Sequence, residues 1–185
     1  MKFLKFFIVI FISLASSVKA DLNSDLLNQL KEGGKLIFIR HAYAPGSGDP
    51  DNFNLNDCST QRNLSEEGKK QAKYIGKLFR DKKIKTDKVL SSEWCRCKET
   101  AKIAFKNFST NSFLNSFYSS KFAKNKDKQI NALNNYLLKF KSAKNLILVT
   151  HYVLISEVLN YAPSSGEIVV SDKNFNIIGT IKIDY

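Results

Sequence analysis

The two histidines of the chain each follow a short apolar run. His41 comes just after the run at residues 36–39, and His151 comes just after the run at residues 146–149. Runs of this kind are typical of strands that are buried on both faces of a sheet. Because ligands of open parallel sheets bind beyond the carboxyl ends of the strands, we expect both imidazoles to meet in one crevice.

Two arginines are predicted to share this crevice. Arg40 directly precedes His41, and Arg96 follows a third strand end at residues 89–92. Guanidinium groups bind phosphate oxygens in pairs, and a buried cluster of positive charge needs an anion. Nearby arginines also lower the pKa of His41, which favours the neutral imidazole that can act as a nucleophile. These residue types suggest phosphoryl transfer to His41, with the arginines stabilising the transferred charge.

No metal and no other cofactor is expected. The chain has two histidines, three cysteines and no Cys-x-x-Cys pair, which disfavours a structural zinc site. Because the arginines would supply the positive charge, the predicted transfer needs no metal ion.

Alternating strands and helices would position these residues. The hydrophobic pattern predicts strands at residues 35–39, 87–91 and 145–150, and helices after Ser65 and at residues 93–106, 129–141 and 153–161. Residues 107–127 are expected to be irregular with a strand near Phe113 and Leu114, and residues 167–171 and 176–183 to form a closing hairpin. This order predicts an α/β three-layer sandwich. Its central sheet would be mostly parallel, with helices on both faces and an antiparallel C-terminal hairpin.

Residues 1–20 have the pattern of a cleaved signal peptide. Lysines precede an apolar run at residues 6–14, and Val18 and Ala20 suit a signal-peptidase site. We therefore expect residues 21–185 to be a single domain that is exported to the periplasm or secreted. Cleavage would remove three lysines and no acid, which lowers the net charge from +12 to +9.

Much of the remaining positive charge falls on one basic segment, residues 69–88. Its simplest interpretation is the solvated face of a helix, and the alternative is attraction to anionic substrates or weak association with an anionic envelope surface. A nucleic-acid partner is not expected, because no aromatic and basic binding motif accompanies the charge. The sequence leaves the oligomeric state open.

Four segments of the chain resemble the histidine phosphatase superfamily, which has the phosphoglycerate-mutase-like fold. Residues 36–42 resemble its Arg-His-Gly signature, and residues 64–72 resemble its Leu-Ser/Thr-x-x-Gly-x-x-Gln-Ala helix. Residues 91–101 resemble its Ser-Ser-Pro-x-x-Arg-x-x-x-Thr-Ala segment, and residues 148–151 resemble the strand that delivers its second histidine. The segments occur in the family's order over about residues 35–160.

The resemblance implies a role for each matching residue. His41 would be the phosphorylated nucleophile, Arg40 and Arg96 would hold the phosphoryl oxygens, and His151 would complete the pocket. The substrate would be a small phosphorylated molecule. Arg62, just before the second segment, is either a third phosphate ligand or a solvated side chain.

The general acid is not identified by the resemblance. Residues 107–120, where one branch of the family has a carboxylate, contain none. Four acids remain as candidates: Asp49, Asp57, Glu93 and Glu167. Of these, Glu93 stands where the family has Pro. A good leaving group would also reduce the need for a strong acid.

The loop at residues 42–63 is long and polar, and it resembles the loop of a small group of exported bacterial members. Loops of this length inside compact domains are usually functional. Phe53 and Leu55 are expected to pack it over the crevice as a lid.

The three cysteines lie in or beside these segments. An oxidising compartment permits a disulfide between Cys58 and either Cys95 or Cys97, and the third thiol would be free and buried. Helical positions two residues apart point in nearly opposite directions, so only one of the pair can face Cys58. The alternative is that all three cysteines are small packing residues.

The function that these features predict is an exported phosphatase that hydrolyses a phosphomonoester through a phosphohistidine on His41. A phosphomutase is a second enzymatic interpretation, which export disfavours. A non-catalytic protein that binds a phosphorylated ligand is supported by the missing acid. A basic envelope protein that only associates with a surface is the remaining alternative.

Overall fold

The structure is a computed structural model that describes the backbone of residues 15–183 and the side chains of residues 24–183. The predicted signal peptide, residues 1–20, lies outside the residues whose side chains are described, so it stays a prediction. Helix α1, Ala15–Glu32, is the first described element.

Five helices and six strands follow α1 in the described chain. They are β1 Leu36–Arg40, α2 Glu66–Asp81, β2 Thr86–Ser91, α3 Cys95–Phe105, β3 Ser109–Thr110, α4 Ser120–Ala123, α5 Lys126–Lys139, β4 Asn145–Thr150, α6 Tyr152–Leu159, β5 Ile168–Ser171 and β6 Ile177–Ile181. Short 3-10 turns lie at Cys58–Thr60 and Ser112–Leu114.

The strands form one mixed sheet in the order β3-β2-β4-β1-β5-β6. β3, β2, β4 and β1 are parallel to one another, whereas β5 pairs antiparallel with β1 and β6 pairs antiparallel with β5. The predicted α/β class, the mostly parallel sheet and the antiparallel C-terminal hairpin are confirmed. β1 and β4 are in register with Arg40 opposite Thr150, so both strands end at the same edge of the sheet.

Helices cover both faces of the sheet, because successive side chains of its buried strands point to opposite faces. Ile37 and Ile39 of β1 belong to a core that includes side chains of α1, α2 and α3. Leu36 and Phe38 belong to a second core that includes side chains of α5 and α6. These two cores are the two interfaces of the predicted three-layer sandwich.

The structure corrects the prediction of a strand near Phe113 and Leu114. Both residues lie in a 3-10 turn, which is capped by Asn111 because its side chain accepts a hydrogen bond from the Phe113 amide. The strand of this region, β3, comes earlier and is only two residues long.

Two helices also differ from the sequence pattern. The sequence pattern does not predict helix α1, although its Leu26 and Leu30, one turn apart, are buried in the core. Helix α5 begins at Lys126, before the expected start at residue 129.

Helices α2 and α3 pack very closely, which fixes two segments that surround the crevice. Ser65 caps α2 as predicted, and its hydroxyl accepts from the Gly68 amide at 3.2 Å. A Cβ on Gly76 of α2 would lie 2.3 Å from the carbonyl oxygen of Ala104 in α3, so only glycine allows this approach.

None of the helices among the described residues is both long enough and apolar enough to span a membrane.

Candidate active site

The two histidines meet at the carboxyl edge of the sheet. The His41 amide donates to the Thr150 carbonyl at 2.9 Å, one residue beyond the end of β1. His151 follows Thr150 directly and precedes helix α6. The centroids of the two imidazole rings are 5.5 Å apart in an edge arrangement.

A cavity of about 400 Å³ opens in front of these rings. Its lining includes all five residues predicted to bind or receive the phosphoryl group: Arg40, His41, Arg62, Arg96 and His151. The loop after β1 contributes residues 46–51 and Phe53, and the segment around α4 contributes further residues between 116 and 122.

His41 is held as a neutral imidazole with one defined tautomer. Its side chain is buried, and its Nδ1 lies 2.8 Å from the Ala42 carbonyl oxygen, which accepts the Nδ1 proton. Burial lowers the pKa of His41 well below 6.5, and the charges of Arg96, Arg40 and Arg62 lower it further. Because Nδ1 carries the proton, Nε2 has the free lone pair that a nucleophile needs.

His151 is also buried, and two neighbours fix its ring. Its Nε2 lies 2.9 Å from the Ser92 hydroxyl and 3.5 Å from the Cys97 thiol. Burial is the largest cause of its lowered pKa, followed by the charges of Arg96 and then His41. The second imidazole is therefore neutral as well.

Arg40 and Arg96 have hydrogen-bond donors without acceptors. Among the described residues, the buried side-chain polar atoms that lack a partner are the Nε atoms of these two arginines. Other contacts hold the Arg40 guanidinium in place: Nη1 donates to the Pro163 carbonyl at 2.8 Å, and the group lies 5.3 Å from the Tyr152 ring centroid. Unpaired buried donors of this kind are costly unless an anion binds them.

Asp49 pairs with Arg96 at the cavity wall. The Arg96 Nη1 and Nη2 atoms donate to the two carboxylate oxygens at 2.6 and 3.2 Å. The same carboxylate accepts from the Trp94 indole and from the Arg62 amide, each at 3.1 Å. It therefore uses donors of Arg96 that a phosphoryl group would use.

Arg62 lines the cavity but is largely engaged by the loop. Its Nε donates to the Gly48 carbonyl at 2.8 Å, and its Nη1 donates to the Ala44 carbonyl. Gly46 and Gly48 adopt positive φ values of 86° and 67°, which let the loop turn around this guanidinium. Arg62 is thus a cavity residue that also shapes the loop.

Two of the four candidate acids, Asp57 and Glu167, have partners outside the cavity. Asp57 is exposed and caps the turn at Cys58–Thr60. Glu167 is buried outside the cavity, where it accepts from the Tyr161 hydroxyl and the Ser164 amide, each at 2.7 Å. Neither carboxyl lines the cavity, so neither is kept as a proton donor.

The other two candidate acids are Glu93 and Asp49. Glu93 accepts from the Asn115 side chain at 2.6 Å and does not line the cavity. Asp49 does line it, and so does Asp51, which no sequence feature singled out. Asp49 is therefore the candidate that remains of the four.

A disulfide ties the loop to the helix that carries Arg96. It joins Cys58 to Cys95, which is one of the two predicted pairings. Cys97 is free and buried, and burial raises the pKa of its thiol to about 12. Next to the disulfide, the Cys95 amide donates to the Gln61 side chain at 2.9 Å.

Sequence reasoning missed several residues that build the site. The Thr100 hydroxyl accepts from the Ala42 amide at 3.0 Å and donates to the Arg96 carbonyl at 2.7 Å, which links the two halves of the pocket. The Gln71 side chain accepts from the Tyr43 amide at 2.9 Å. Thr100 and Gln71 both lie in segments that resemble the histidine phosphatase superfamily, and this resemblance could have identified them as residues of the site.

Aromatic residues complete the cavity. Of the two residues predicted to form a lid, Phe53 lines the cavity and its ring stacks on that of Trp94 with centroids 5.0 Å apart, whereas Leu55 does not line it. Phe122 lies in α4, a helix for which the sequence pattern gives no sign.

No group of three or more His, Cys, Asp or Glu side chains that could hold a metal ion is found in the part of the chain with described side chains.

Comparisons with known proteins agree with this arrangement. Residues 36–114 match the family model described as histidine phosphatase superfamily (branch 1). The serine/threonine-protein phosphatase Pgam5, mitochondrial, of Drosophila willistoni is 38% identical over 82 residues. That alignment covers 44% of this chain and 25% of the relative, so the chain spans about a quarter of the relative's length.

Solved structures share the fold at low sequence identity. The protein histidine phosphatase SixA complexed with tungstate superposes with a TM-score of 0.51 at 14% identity, covering 82% of this chain and 94% of that one. A phosphoglycerate mutase from Thermus thermophilus superposes with a TM-score of 0.54 at 15% identity, covering 81% of this chain and 99% of that one.

Proposed function

We propose that the chain is a member of the histidine phosphatase superfamily, whose model matches residues 36–114, and that it hydrolyses phosphomonoesters through a phosphohistidine on His41. The observation that carries the proposal is the state of His41: a buried, neutral imidazole whose Nδ1 is occupied by the Ala42 carbonyl. Such a ring keeps the Nε2 lone pair for attack, beside three arginines that attract a phosphate dianion.

The arginines would stabilise the phosphoryl group during transfer. The unpaired Nε donors of Arg40 and Arg96 are suited to the oxygens of a phosphoryl group, and His151 would contact the same group. A loose transition state spreads charge over the three equatorial oxygens, and fixed guanidinium donors stabilise that charge at little reorganisation cost.

The proposed reaction has two steps. In the first, the Nε2 lone pair of His41 attacks phosphorus while the bond to the leaving oxygen breaks, and that oxygen takes a proton to leave as an alcohol or phenol. In the second, water attacks phosphorus and gives a proton to the group that protonated the leaving oxygen, while the N–P bond breaks and its electron pair returns to Nε2. The phosphate product leaves with the oxygen of that water.

Asp49 would leave Arg96 when substrate binds, because both compete for the same guanidinium donors. Gly48 precedes Asp49, and a Cβ added there would meet no atom within 4 Å, so the backbone at Gly48 is not tightly packed. The released carboxylate would remain at the cavity wall and take up a proton from solvent, and the resulting carboxylic acid is our candidate for the group that protonates the leaving oxygen.

Binding without hydrolysis is the second candidate function. The observation that favours it is the Asp49–Arg96 pair, in which the carboxylate accepts hydrogen bonds from Arg96, Trp94 and the Arg62 amide. A protein of this kind would bind phosphate or vanadate, show no turnover and form no phosphoenzyme.

We also propose that the protein is exported. The pattern of residues 1–20 supports this proposal, as does the Cys58–Cys95 disulfide, because such bonds persist mainly in oxidising compartments. Its substrate would then be a small phosphorylated molecule outside the cytosol.

Turnover of phosphomonoesters by the purified chain tests the proposed function. Wild type should hydrolyse p-nitrophenyl phosphate, and His41→Ala should lose all but about one part in a thousand of that activity. Arg96→Ala should weaken vanadate inhibition by about 100-fold or more, because a bidentate charged contact is lost.

Arg80→Ala is the matched control for Arg96→Ala. Arg80 is an exposed residue of α2 that does not line the cavity. This variant should keep both turnover and vanadate inhibition. Substantial turnover in a folded His41→Ala protein would overturn the phosphohistidine mechanism.

A further inference from the structure

A second cavity adjoins the candidate active site and exposes mainly apolar surface. Its volume is about 320 Å³, and its walls include Leu55 of the long loop and Ala132 of α5. Phe53, Trp94 and Phe122 line both cavities. These three rings are therefore a boundary that the two cavities share.

The shared rings form a continuous aromatic surface that begins at the phosphate-binding pocket. The Trp94 ring contacts the His151 ring edge-on at 5.5 Å and stacks on Phe53 at 5.0 Å. The Phe122 ring meets both Phe53 and Trp94 edge-on, each at 5.5 Å. Trp94 is buried while Phe53 and Phe122 are half-buried, so part of this surface is accessible to a ligand.

Two polar side chains of the second cavity are already bonded to the protein. The Gln129 amide donates to the Ser112 and Asn115 carbonyls at 2.9 and 3.0 Å. The Asn115 side chain donates to the Glu93 carboxylate at 2.6 Å and accepts from the Glu93 amide at 2.9 Å. Ser112, Ser116, Asn125 and Lys128 also line the cavity, but its exposed surface is mainly apolar. A flat apolar group would therefore remove more ring surface from water than a sugar or polyol would.

We propose that the second cavity binds the organic part of the substrate, and that this part is a flat apolar group, so that aryl phosphomonoesters are the substrate class. The proposal rests on the proposed function, because it places the phosphoryl group against His41 in the first cavity. The aromatic boundary then contacts the ring that is bonded to the phosphate, and the second cavity receives a further ring beyond it.

Two aryl phosphates that differ in apolar length provide the test. Phenyl phosphate and 4-biphenylyl phosphate release phenols of similar acidity, so their chemical steps are comparable. Wild type should show a kcat/KM for the biphenylyl ester at least about tenfold above that for phenyl phosphate, since a further ring is buried. The same preference should appear in the Kd values for His41→Ala, measured by calorimetry without turnover.

Filling the second cavity should remove the preference. Ala132 is exposed and lines only the second cavity, so Ala132→Phe should bring the two kcat/KM values to within about twofold by lowering the biphenylyl value. Asn131→Phe is the matched control, because Asn131 is its exposed neighbour on α5 and does not line the cavity. This control should keep the preference.

The outcomes separate the two proposals. Turnover of both esters with equal kcat/KM in wild type would overturn the apolar subsite and leave the hydrolytic function standing. Tighter binding of the biphenylyl ester with no turnover in wild type would support the subsite and overturn the function. A biphenylyl preference that persists in folded Ala132→Phe would place the apolar contact elsewhere and overturn the assignment of this cavity.

Discussion

Burial sets the protonation of both imidazoles in the candidate site. His41 and His151 are buried beside three arginines, and both burial and positive charge disfavour the imidazolium form. An ordinary histidine is half protonated near pH 6.5, whereas these two have lowered pKa values and stay neutral below that pH. The proposed nucleophile is therefore available over a wider acidic range than an exposed histidine would be.

Nitrogen-detected NMR should show this directly, because the chain has only two histidines. Between about pH 8 and about pH 6, His41 should keep Nδ1 protonated and Nε2 bare. The unfolded chain takes up protons near pH 6.5 while the native histidines do not, so the free energy of unfolding should fall as the pH drops below that value. The chain in urea is the control, and a native imidazole that titrates near pH 6.5 would contradict the assignment.

Asp49 has two opposing roles that one variant separates. Asp49→Asn removes the charge that competes for Arg96, so vanadate should bind at least about threefold more tightly. The same variant removes the candidate proton donor, so hydrolysis of an alkyl phosphate should fall by about 100-fold while that of p-nitrophenyl phosphate changes little.

Asp51→Asn is the matched control for Asp49→Asn. Asp51 also lines the cavity but is exposed, and the ion pair with Arg96 belongs to Asp49. Asp51→Asn should leave the ratio of the hydrolysis rates of alkyl phosphate and p-nitrophenyl phosphate unchanged. An equal loss for alkyl and p-nitrophenyl phosphates in Asp49→Asn would remove Asp49 as the acid.

The long loop depends on its attachment to helix α3. The Cys58–Cys95 bond, the Gln61 contact beside it and the Asp49–Arg96 pair all join the loop to this helix. The bond closes a segment with a sequence separation of 37, which is worth about 3–4 kcal/mol in the chain-entropy model.

Reduction of this disulfide should lower the thermal midpoint and weaken vanadate binding together. Before reduction, thiol counting on the denatured chain should find one free thiol of three, and Cys97→Ala should leave none. The native protein should hide that thiol, because Cys97 is buried. Three free thiols in protein recovered from its native compartment would refute the bridge.

The secondary-structure elements that the sequence predicts best are the fully buried strands, because a short apolar run identifies each of them. The apolar runs before His41 and His151 are buried strands, and their parallel pairing brings both rings to one edge. The Asp49–Arg96 pair could not be predicted in this way, because it depends on the path of a loop that tertiary contacts determine. The position of Phe122 at the cavity could not be predicted either, because α4 is too short to produce a periodic pattern.

The net positive charge of the chain favours anionic substrates. The chain carries a formal charge of +12, and the basic segment at residues 69–88 includes the exposed side of α2. A positive field of this kind raises the encounter rate with anionic substrates, and salt weakens it.

Expression in a bacterial host tests the proposed export. The periplasmic or secreted fraction should contain a chain that begins at Asp21, as measured by intact mass. Ala20→Lys should block cleavage and leave the longer chain, because the −1 position requires a small residue. Recovery of the uncleaved wild-type chain from the cytosol alone would contradict export.

Trapping the phosphoenzyme tests the nucleophilic role of His41 most directly. Wild type is mixed with p-nitrophenyl phosphate, quenched in alkaline denaturant and digested for mass spectrometry. We expect one phosphoryl group on His41, lost when the sample is acidified, and none in folded His41→Ala. Turnover by wild type with the phosphoryl group on another residue, or with no phosphoenzyme at any time, would contradict a mechanism through His41.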